Sequence, residues 1–384
     1  MLKTYKYRIY PDKEQKVLLT NAFGSCRFIY NKALAYKKDT YEKTSESLSY
    51  YDLQNGLLKD LKSEHDWLKL SPSQSLQMSL RHLDSAYKNF FRRIKSGGPP
   101  GFPKFKSKFG KQSISFPQGI RIDSKSSKIF IPKLKNTLAV IHRKIPDNCT
   151  IKTCTISKTI TNKYYISVLF EDHLEKPEKI LGKEIGIDLG IKDFCTFSDG
   201  PKVHGQKFLN KYLKKLQYVQ SKLSLKKKVS SNRNKVKFQL ARVHEKIANS
   251  RKDNLHKISK KIIDENQVIF LEDLSVKSMM QESYRNLARN IGYVSWGEFV
   301  TMLKYKSDLY GKYVFEVNPA YTSRMCSNCF EINNKLQLSD RVWQCKHCQI
   351  EHDRDINAAC NILRIGQELP EYQKALNSQA AKAA

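Results

Sequence analysis

No run of 18 apolar residues occurs in the 384-residue chain, which excludes a membrane-spanning helix. Nor does a charged segment lead into an apolar core after Met1, so a secretory leader is not expected. Internal repeats are lacking as well. Acid is scarce: 37 Asp and Glu face 69 Lys and Arg, a formal charge of +32. Such a surplus repels itself unless a polyanion neutralises it. Nucleic acid is the expected partner, because neutralised phosphates release counterions; an anionic membrane surface is the plainer competitor. Cysteine is sparse and odd in number, nine residues spread unevenly, which argues against a disulfide framework and for a reducing compartment. A soluble, unsecreted protein is therefore expected.

What is present suffices for two or three folded domains: 40% of residues are hydrophobic, with 18 Phe and 20 Tyr. LKTYKYRIYP alternates like a strand, and Pro11-Asp12 opens a helix. Leu18, Ala22, Cys26 and Ile29 keep helical spacing, as do Leu76, Leu80, Leu83, Tyr87, Phe90 and Ile94 until Gly97, Gly98, Pro99 and Pro100. Residues 13–96 thus read as a helical module. Short strands separated by Ser, Asn and Pro turns follow over 120–172 and, with the first strand, suggest a small β-barrel that the helical module interrupts. Between them, Phe102, Phe105, Phe109 and Phe116 interleave with Lys104 and Lys106. Aromatic faces stack on bases while ammonium groups meet phosphates, but the same pattern suits a loop pinned to a core by its Phe residues.

A linker over 178–183 precedes EIGIDLGIKDFCTFSDG, two apolar strands with a tight bend. From Lys207 to Lys261, eighteen Lys and Arg face only Glu245 and Asp253 in an amphipathic helical hairpin broken near SSNRN. Lys226, Lys227, Lys228 and Arg233 at that break are candidates for a phosphate backbone; the alternative is a solvated face. VIFLEDL reads as a buried strand ending in acid, residues 294–310 as a helix, YVFEVNP as a strand and DRDINAACNILRIG as a helix capped by Asp353 or Asp355. Residues 367–384 read as a flexible tail.

Cys326, Cys329, Cys345 and Cys348 form two CxxC turns fifteen residues apart. Each turn sets two thiolates on one side of a bend, and two such turns complete a tetrahedron around zinc. Leu336, Leu338, Val342 and Trp343 supply a small hairpin between them, and four thiolates leave no open coordination position, so this zinc is structural. Cys195 and Cys360 read as core thiols.

Three acids stand where apolar or neutral residues fit better. Asp188 is flanked by Ile187 and Leu189, Glu272 ends the apolar run VIFLE, and Asp355 lies at a helix start. A carboxylate among apolar strand residues costs several kcal/mol unless paired. Neither strand supplies a base at the right parity, so a divalent cation is the better partner. With Asp188 and Glu272 on parallel neighbouring strands, Asp355 completes a triad able to hold two Mg²⁺ ions about 4 Å apart for phosphodiester hydrolysis. Asp353 competes with Asp355 for the third position; two residues apart on a helix they face different ways, so only one should reach the metals, and Asp193 and Asp273 are less favoured.

GIDLGIKDF, VIFLEDL, CSNC…CKHC and DRDINAACNIL, in this order, resemble the RuvC-type core of the TnpB family, transposon-encoded RNA-guided DNA nucleases related to type V CRISPR effectors. KTYKYRIYP and its helix extend the resemblance from residue 3 to about 365. It implies an α/β RNase H-like nuclease core over 179–321 and 353–366, with a zinc ribbon over 322–352 inserted before the last helix. It further implies a wedge-like β-barrel over 1–12 and 97–178 with the recognition module 13–96 inserted. By the same resemblance Asp188, Glu272 and Asp355 are the catalytic acids binding two Mg²⁺, and the four cysteines bind one Zn²⁺. The implied partners are a guide RNA from the transposon end and double-stranded target DNA read beside a short flanking motif, in the cytoplasm of a prokaryotic cell near its nucleoid. The competing readings are a nuclease-inactive RNA-guided repressor, a transposase of the same fold, and a zinc-ribbon RNA-binding protein without chemistry.

Overall fold

The computed structural model describes residues 1–205, 207–282, 284–337 and 339–383; Leu338 of the cysteine segment lies outside them. The chain divides into two units, Met1–Glu175 and Lys176–Ala384.

The first unit opens with strand β1 (Leu2–Tyr10), whose alternation buries Tyr7 and Ile9. Asp12 then caps helix α1 (Lys13–Thr44): its carboxylate accepts from the Gln15 backbone N–H at 2.8 Å, and the Gln15 side chain accepts from the Asp12 N–H at 3.1 Å. Short helices α2 (Tyr50–Asp52) and α3 (Leu58–Glu64) lead to α4 (Ser73–Lys95), which buries Leu76, Leu80, Leu83 and Tyr87 as their spacing requires. Gly97, at φ +70°, lies just beyond its end.

Six more strands follow: β2 (Gln112–Phe116), β3 (Arg121–Asp123), β4 (Lys128–Ile131), β5 (Lys135–Val140), β6 (Thr150–Lys158) and β7 (Tyr164–Glu171). With β1 they form one antiparallel sheet in the order β2-β6-β7-β1-β5-β4-β3. Among the described residues no ladder joins β2 to β3, so the expected barrel is not closed. Helices α1 and α4 pack against β2 instead, and a covered edge needs no strand partner.

The second unit is a mixed sheet between helices. Strands β8 (Glu184–Asp188), β9 (Asp193–Phe197) and β10 (Lys202–His204) form an antiparallel meander. After the hairpin of α5 (Lys207–Ser224) and α6 (Ser231–Glu265), β11 (Val268–Glu272) enters parallel to β8. Helices α7 (Val276–Glu282), α8 (Arg285–Val294) and α9 (Trp296–Tyr310) precede β12 (Tyr313–Val317), parallel to β11. The order is β10-β9-β8-β11-β12. The helix expected over 294–310 is α9, which starts at Trp296; Ser295, at φ +58°, separates it from α8. Every residue of β11 is buried, and its two sets of side chains serve two cores. Ile269 and Leu271 pack with Leu255, Ile262, Phe299 and Leu303 from α6 and α9. Val268 and Phe270 pack with Ile362 of α10 (Arg354–Gln367) and Tyr372 of α11 (Pro370–Ala383).

The flexible tail is thus corrected. Tyr372 is 6% exposed, edge-on to Phe270 and Phe315, and its hydroxyl donates to Glu184, so three contacts hold a segment poor in apolar residues. The cysteine segment adds β13 (Val342–Gln344) and β14 (Glu351–Asp353), a short antiparallel pair. No helix among the described residues is long and apolar enough to cross a membrane.

Candidate active site and metal centre

Two parallel strands set the first two acids. Ile187 lies opposite Leu271, so the next residue of each strand, Asp188 and Glu272, stands at the C-terminal end of its strand beside the other. Helix α10 crosses this edge with Asp355 in its first turn. The helix approaches closely because Gly186 carries no side chain: a Cβ there would lie 2.2 Å from the Ala359 carbonyl oxygen. Gly366, further along the helix, likewise leaves room for the Phe270 ring.

The three charges feel one another. Burial, then the charge of Glu272, then that of Asp355 push the Asp188 carboxyl up to about 7, while Arg354 and Lys202 oppose the shift. Burial also raises Glu272, which is 8% exposed; the Thr322 hydroxyl, donating to its Oε1, works the other way. Asp355 meets Arg341 at 3.3 Å and Arg354 at 3.4 Å. Among the described residues the three carboxylates do not draw together within 4.8 Å of one another; only the four cysteines do.

Neither β8 nor β11 contains a Lys, Arg or His. Bases arrive from elsewhere: Lys202 of edge strand β10 pairs with Asp353, and Arg341 of the cysteine segment and Arg354 of α10 pair with Asp355. Sequence reasoning missed these three and Thr322: Lys202, Arg341 and Thr322 lie 151, 14 and 50 residues from the acids they serve, and Arg354, though adjacent to Asp355, carries no motif of its own. Asp353, not Asp355, is the cap of α10: its Oδ1 accepts from the Asp355 and Ile356 N–H groups at 3.0 and 3.1 Å. Both its oxygens also accept from Lys202, at 2.8 and 2.7 Å. Although burial opposes it, this pairing holds Asp353 below the usual carboxylate range. Asp193 pairs with His204 at 2.7 Å, away from the triad's ion pairs.

The two CxxC turns repeat one hydrogen-bond pattern. The Phe330 N–H donates to the Cys326 carbonyl and the Cys326 N–H to that of Glu331; Gln349, Cys345 and Ile350 do the same, all at 2.9 Å. Phe330 and Gln349 occupy the left-handed region at φ +68° and +58°, where glycine is easiest. Phe330 is held there under the Arg364 guanidinium, 3.2 Å from the ring centroid. Sulfur pairs Cys326–Cys348 and Cys329–Cys345 are 3.6 and 3.5 Å apart. A tetrahedral zinc with bonds of about 2.3 Å would hold sulfurs about 3.8 Å apart, so the cluster fits that ion. The N–H of Ile350 brings the Cys348 thiol down to about 6. His352 Nε2 lies 3.1 Å from the Cys326 sulfur and its ring packs on Trp343. Leu336 and Trp343 are buried with the sulfurs, whereas Val342 is exposed. Cys195 is fully buried and Cys360 half-buried.

The aromatic loop splits between its two readings. Phe116 is a core residue of β2, and Phe102 stands edge-on to Tyr87 and Phe90. The Lys106 backbone N–H donates to Asn31, and its ammonium sits 3.9 Å over the Tyr30 ring. Phe105 and Phe109 are exposed, as is Lys104. At the hairpin tip Lys227 and Lys228 are exposed and Lys226 half-buried, between outward-facing Leu225 and Val229. Arg233 belongs to the fold of that tip: its guanidinium donates to the Leu223 and Lys226 carbonyls, both at 2.8 Å.

A protein from Escherichia coli (strain K12) named "Putative RNA-guided DNA endonuclease InsQ" is 33% identical over 379 residues, spanning 95% of this chain and 92% of that one. A mimivirus "TnpB-like protein L770" is 27% identical over 405 residues, spanning 97% and 75%. The chain belongs to the TnpB family. Family models agree in their order: one described as "Helix-turn-helix domain" matches residues 1–46, one described as "Probable transposase" matches 165–283, and a "Cas12f1-like, TNB domain" matches 296–362. The last spans Thr322, the four cysteines and Asp355. A Streptomyces pristinaespiralis protein, named like the first without the suffix, is 32% identical over 367 residues, covering 95% of this chain and 89% of that one. In fold, the chain is similar to one in the cryo-EM structure of the Cas12f1–sgRNA–target DNA complex, with a TM-score of 0.58 at 14% identity over 97% and 99% of the two chains. It is also similar to the mini-RNA-guided endonuclease CRISPR-Cas_phi3, with a TM-score of 0.52 at 10% identity over 95% and 92%.

Proposed function

We propose that this chain is a transposon-encoded, RNA-guided DNA endonuclease that hydrolyses phosphodiester bonds of guide-complementary DNA beside a short flanking motif. The observation that carries the reading is the convergence of Asp188, Glu272 and Asp355 on one sheet edge, where burial and then the charges of Glu272 and Asp355 push the Asp188 carboxyl up. Three acids that repel one another around a half-buried carboxylate fit a divalent cation as their common partner. Mg²⁺ held by Asp188, Glu272 and Asp355 would activate water and neutralise charge at the scissile phosphate. Asp188 and Glu272 are set by their strands. Asp355 is set by the capped start of α10 and now turns to Arg341 and Arg354, which keep its charge compensated. The names of the relatives in E. coli and S. pristinaespiralis support RNA guidance and DNA as substrate.

Three antiparallel strands followed by two parallel ones support an RNase H-like, RuvC-type core over 179–321 and 353–366, with the zinc ribbon at 322–352. The open antiparallel sheet takes the wedge role over 1–12 and 97–178, and the helices of 13–96 the recognition role. With four sulfurs, the zinc has no open position and serves the fold. Phe105, Phe109, Lys104 and Lys226 to Lys228 are the side chains left available to phosphates and bases, with action in the cell interior where chromosomal DNA lies.

The test purifies the protein with its native locus and sequences the RNA that accompanies it. A plasmid library matching that guide is then challenged in Mg²⁺, with Asp188→Ala as control. RNA-dependent cutting lost in the variant is the expected result. Absence of bound RNA, or equal cutting by Asp188→Ala, ends the proposal; binding without cutting by the natural chain would favour the repressor, and joining of transposon ends without RNA the transposase.

A further inference from the structure

We infer that Thr322 is a positioning residue for Glu272, and that the metal knuckles hold it in place through Asn361 and Asn357. The inference rests on the nuclease reading of Glu272 and adds residues to it.

A buried carboxylate that must present an oxygen to a ligand needs its other interactions fixed, because three side-chain torsions otherwise scatter it. Glu272 Oε1 accepts from the hydroxyl of Thr322, itself 2% exposed. Thr322 is not on the sheet. It lies in the turn that leaves β12, five residues past Val317, so its place depends on what grips that turn.

The grip comes from α10. The Asn361 side-chain amide donates to the Thr322 carbonyl at 2.8 Å and to the Met325 carbonyl at 2.6 Å. One helical turn earlier, the Asn357 amide donates to the Met325 carbonyl, and its oxygen accepts from the Ser327 N–H, both at 2.8 Å. Asn357 and Asn361 are 2% and 0% exposed. Residues spaced by four share a helix face, so the two amides form one ladder. Met325 and Ser327 flank Cys326, the first sulfur ligand. The ladder therefore clamps the backbone on both sides of a metal ligand and, with the same side chains, the turn that carries Thr322. Three residues separate Thr322 from Cys326, too few to absorb a disordered knuckle. The helix providing the ladder also carries Asp355. A metal that performs no chemistry thus sets two acids: Asp355 by seating α10, and Glu272 through the Thr322 hydroxyl.

The experiment uses the full chain with its guide on matched DNA, comparing Thr322→Val, Thr322→Ser and Asn361→Ala. Single-turnover cleavage, target affinity and the rate at which a colorimetric chelator withdraws zinc are measured for each. Thr322→Val keeps the shape and removes the hydroxyl; its cleavage rate should fall roughly ten-fold or more, as for lost outer-shell partners of metal sites. Its target affinity and zinc release should match the natural chain, and Thr322→Ser should recover most of the rate. Asn361→Ala should lose rate and release zinc faster together. Natural-rate cleavage by Thr322→Val overturns the inference, as does an equal loss in Thr322→Ser, which would mean a packing role. Faster zinc release from Thr322→Val would place Thr322 in the fold of the knuckle and also overturn it. Asp188→Ala in the same assay keeps the two readings separate: if it cuts at the natural rate, the nuclease assignment fails whatever Thr322 does.

Discussion

Gly186 of β8 and Ala359 of α10 meet so closely that a methyl group at position 186 would lie 2.2 Å from the Ala359 carbonyl oxygen and 2.7 Å from the Leu363 nitrogen. Both neighbours are backbone and cannot rotate away. Gly186→Ala should therefore lift α10 from the sheet and draw Asp355 away from Asp188. Cleavage should fall by at least 100-fold, since misplacement by about 1 Å can cost that much. The thermal midpoint should fall too; an active, equally stable variant would show that the helix has another seat.

The raised Asp188 carboxyl gives a signed pH dependence to the metal-free protein. Its folded value of about 7 exceeds the ordinary 3.8, so the native state holds a proton that the unfolded chain releases. Its contribution favours the fold below pH 4 and is progressively lost as pH rises from 4 to 7. Asp188→Asn removes that loss. In chelator-treated protein at pH 8 the variant should melt higher, by on the order of 5 °C, with the difference shrinking toward pH 4. A constant difference across that range would contradict the assigned cause.

Lys202 and Asp353 form the clasp at the start of α10. Lys202→Met keeps the aliphatic stem and deletes the charge, leaving Asp353 without its ammonium partner. Amide exchange at Asp355 and Ile356 should accelerate, because Asp353 caps both N–H groups. Cleavage should drop about ten-fold with target affinity unchanged. Unaltered exchange would show that the cap stands without Lys202.

Removal of zinc should be visible from Trp343, which is 7% exposed among the sulfurs. A zinc-selective chelator should shift its emission to the red as residues 322–352 lose order. Trp343→Phe should abolish that shift, since Trp67 and Trp296 lie outside the ribbon. An unchanged spectrum after complete zinc loss would mean that the hairpin stands without metal.

Replacing Lys226, Lys227 and Lys228 with Gln should lower the slope of log affinity against log salt by roughly 2 to 3 if all three meet phosphates. Arg233→Gln should leave that slope nearly intact and instead destabilise the hairpin tip, because its guanidinium is used on two carbonyls. Equal slopes for natural and triple-variant chains would assign the lysines to solvent.

What the sequence by itself determined was local. Alternation set β1, two apolar runs about a tight bend set the β8–β9 hairpin, period 3.6 set the buried face of α4, and the four cysteines announced their cluster, because each signal lies within a few turns of chain. The acids at the ends of β8 and β11 were legible too, since charge amid apolar strand residues is costly wherever it occurs. Tertiary structure alone decided the rest. Only strand register puts Asp188 beside Glu272, and only the Gly186 contact lets α10 bring Asp355 to them. Thr322, Lys202 and Arg341 reach their partners across 50, 151 and 14 residues of sequence. The last helix gave no amphipathic warning, because one tyrosine docked on Phe270 replaces the stripe that periodicity reads. Whether the antiparallel sheet closes was likewise beyond the pattern: an edge covered by helices and an edge paired to a strand are built from the same alternating residues.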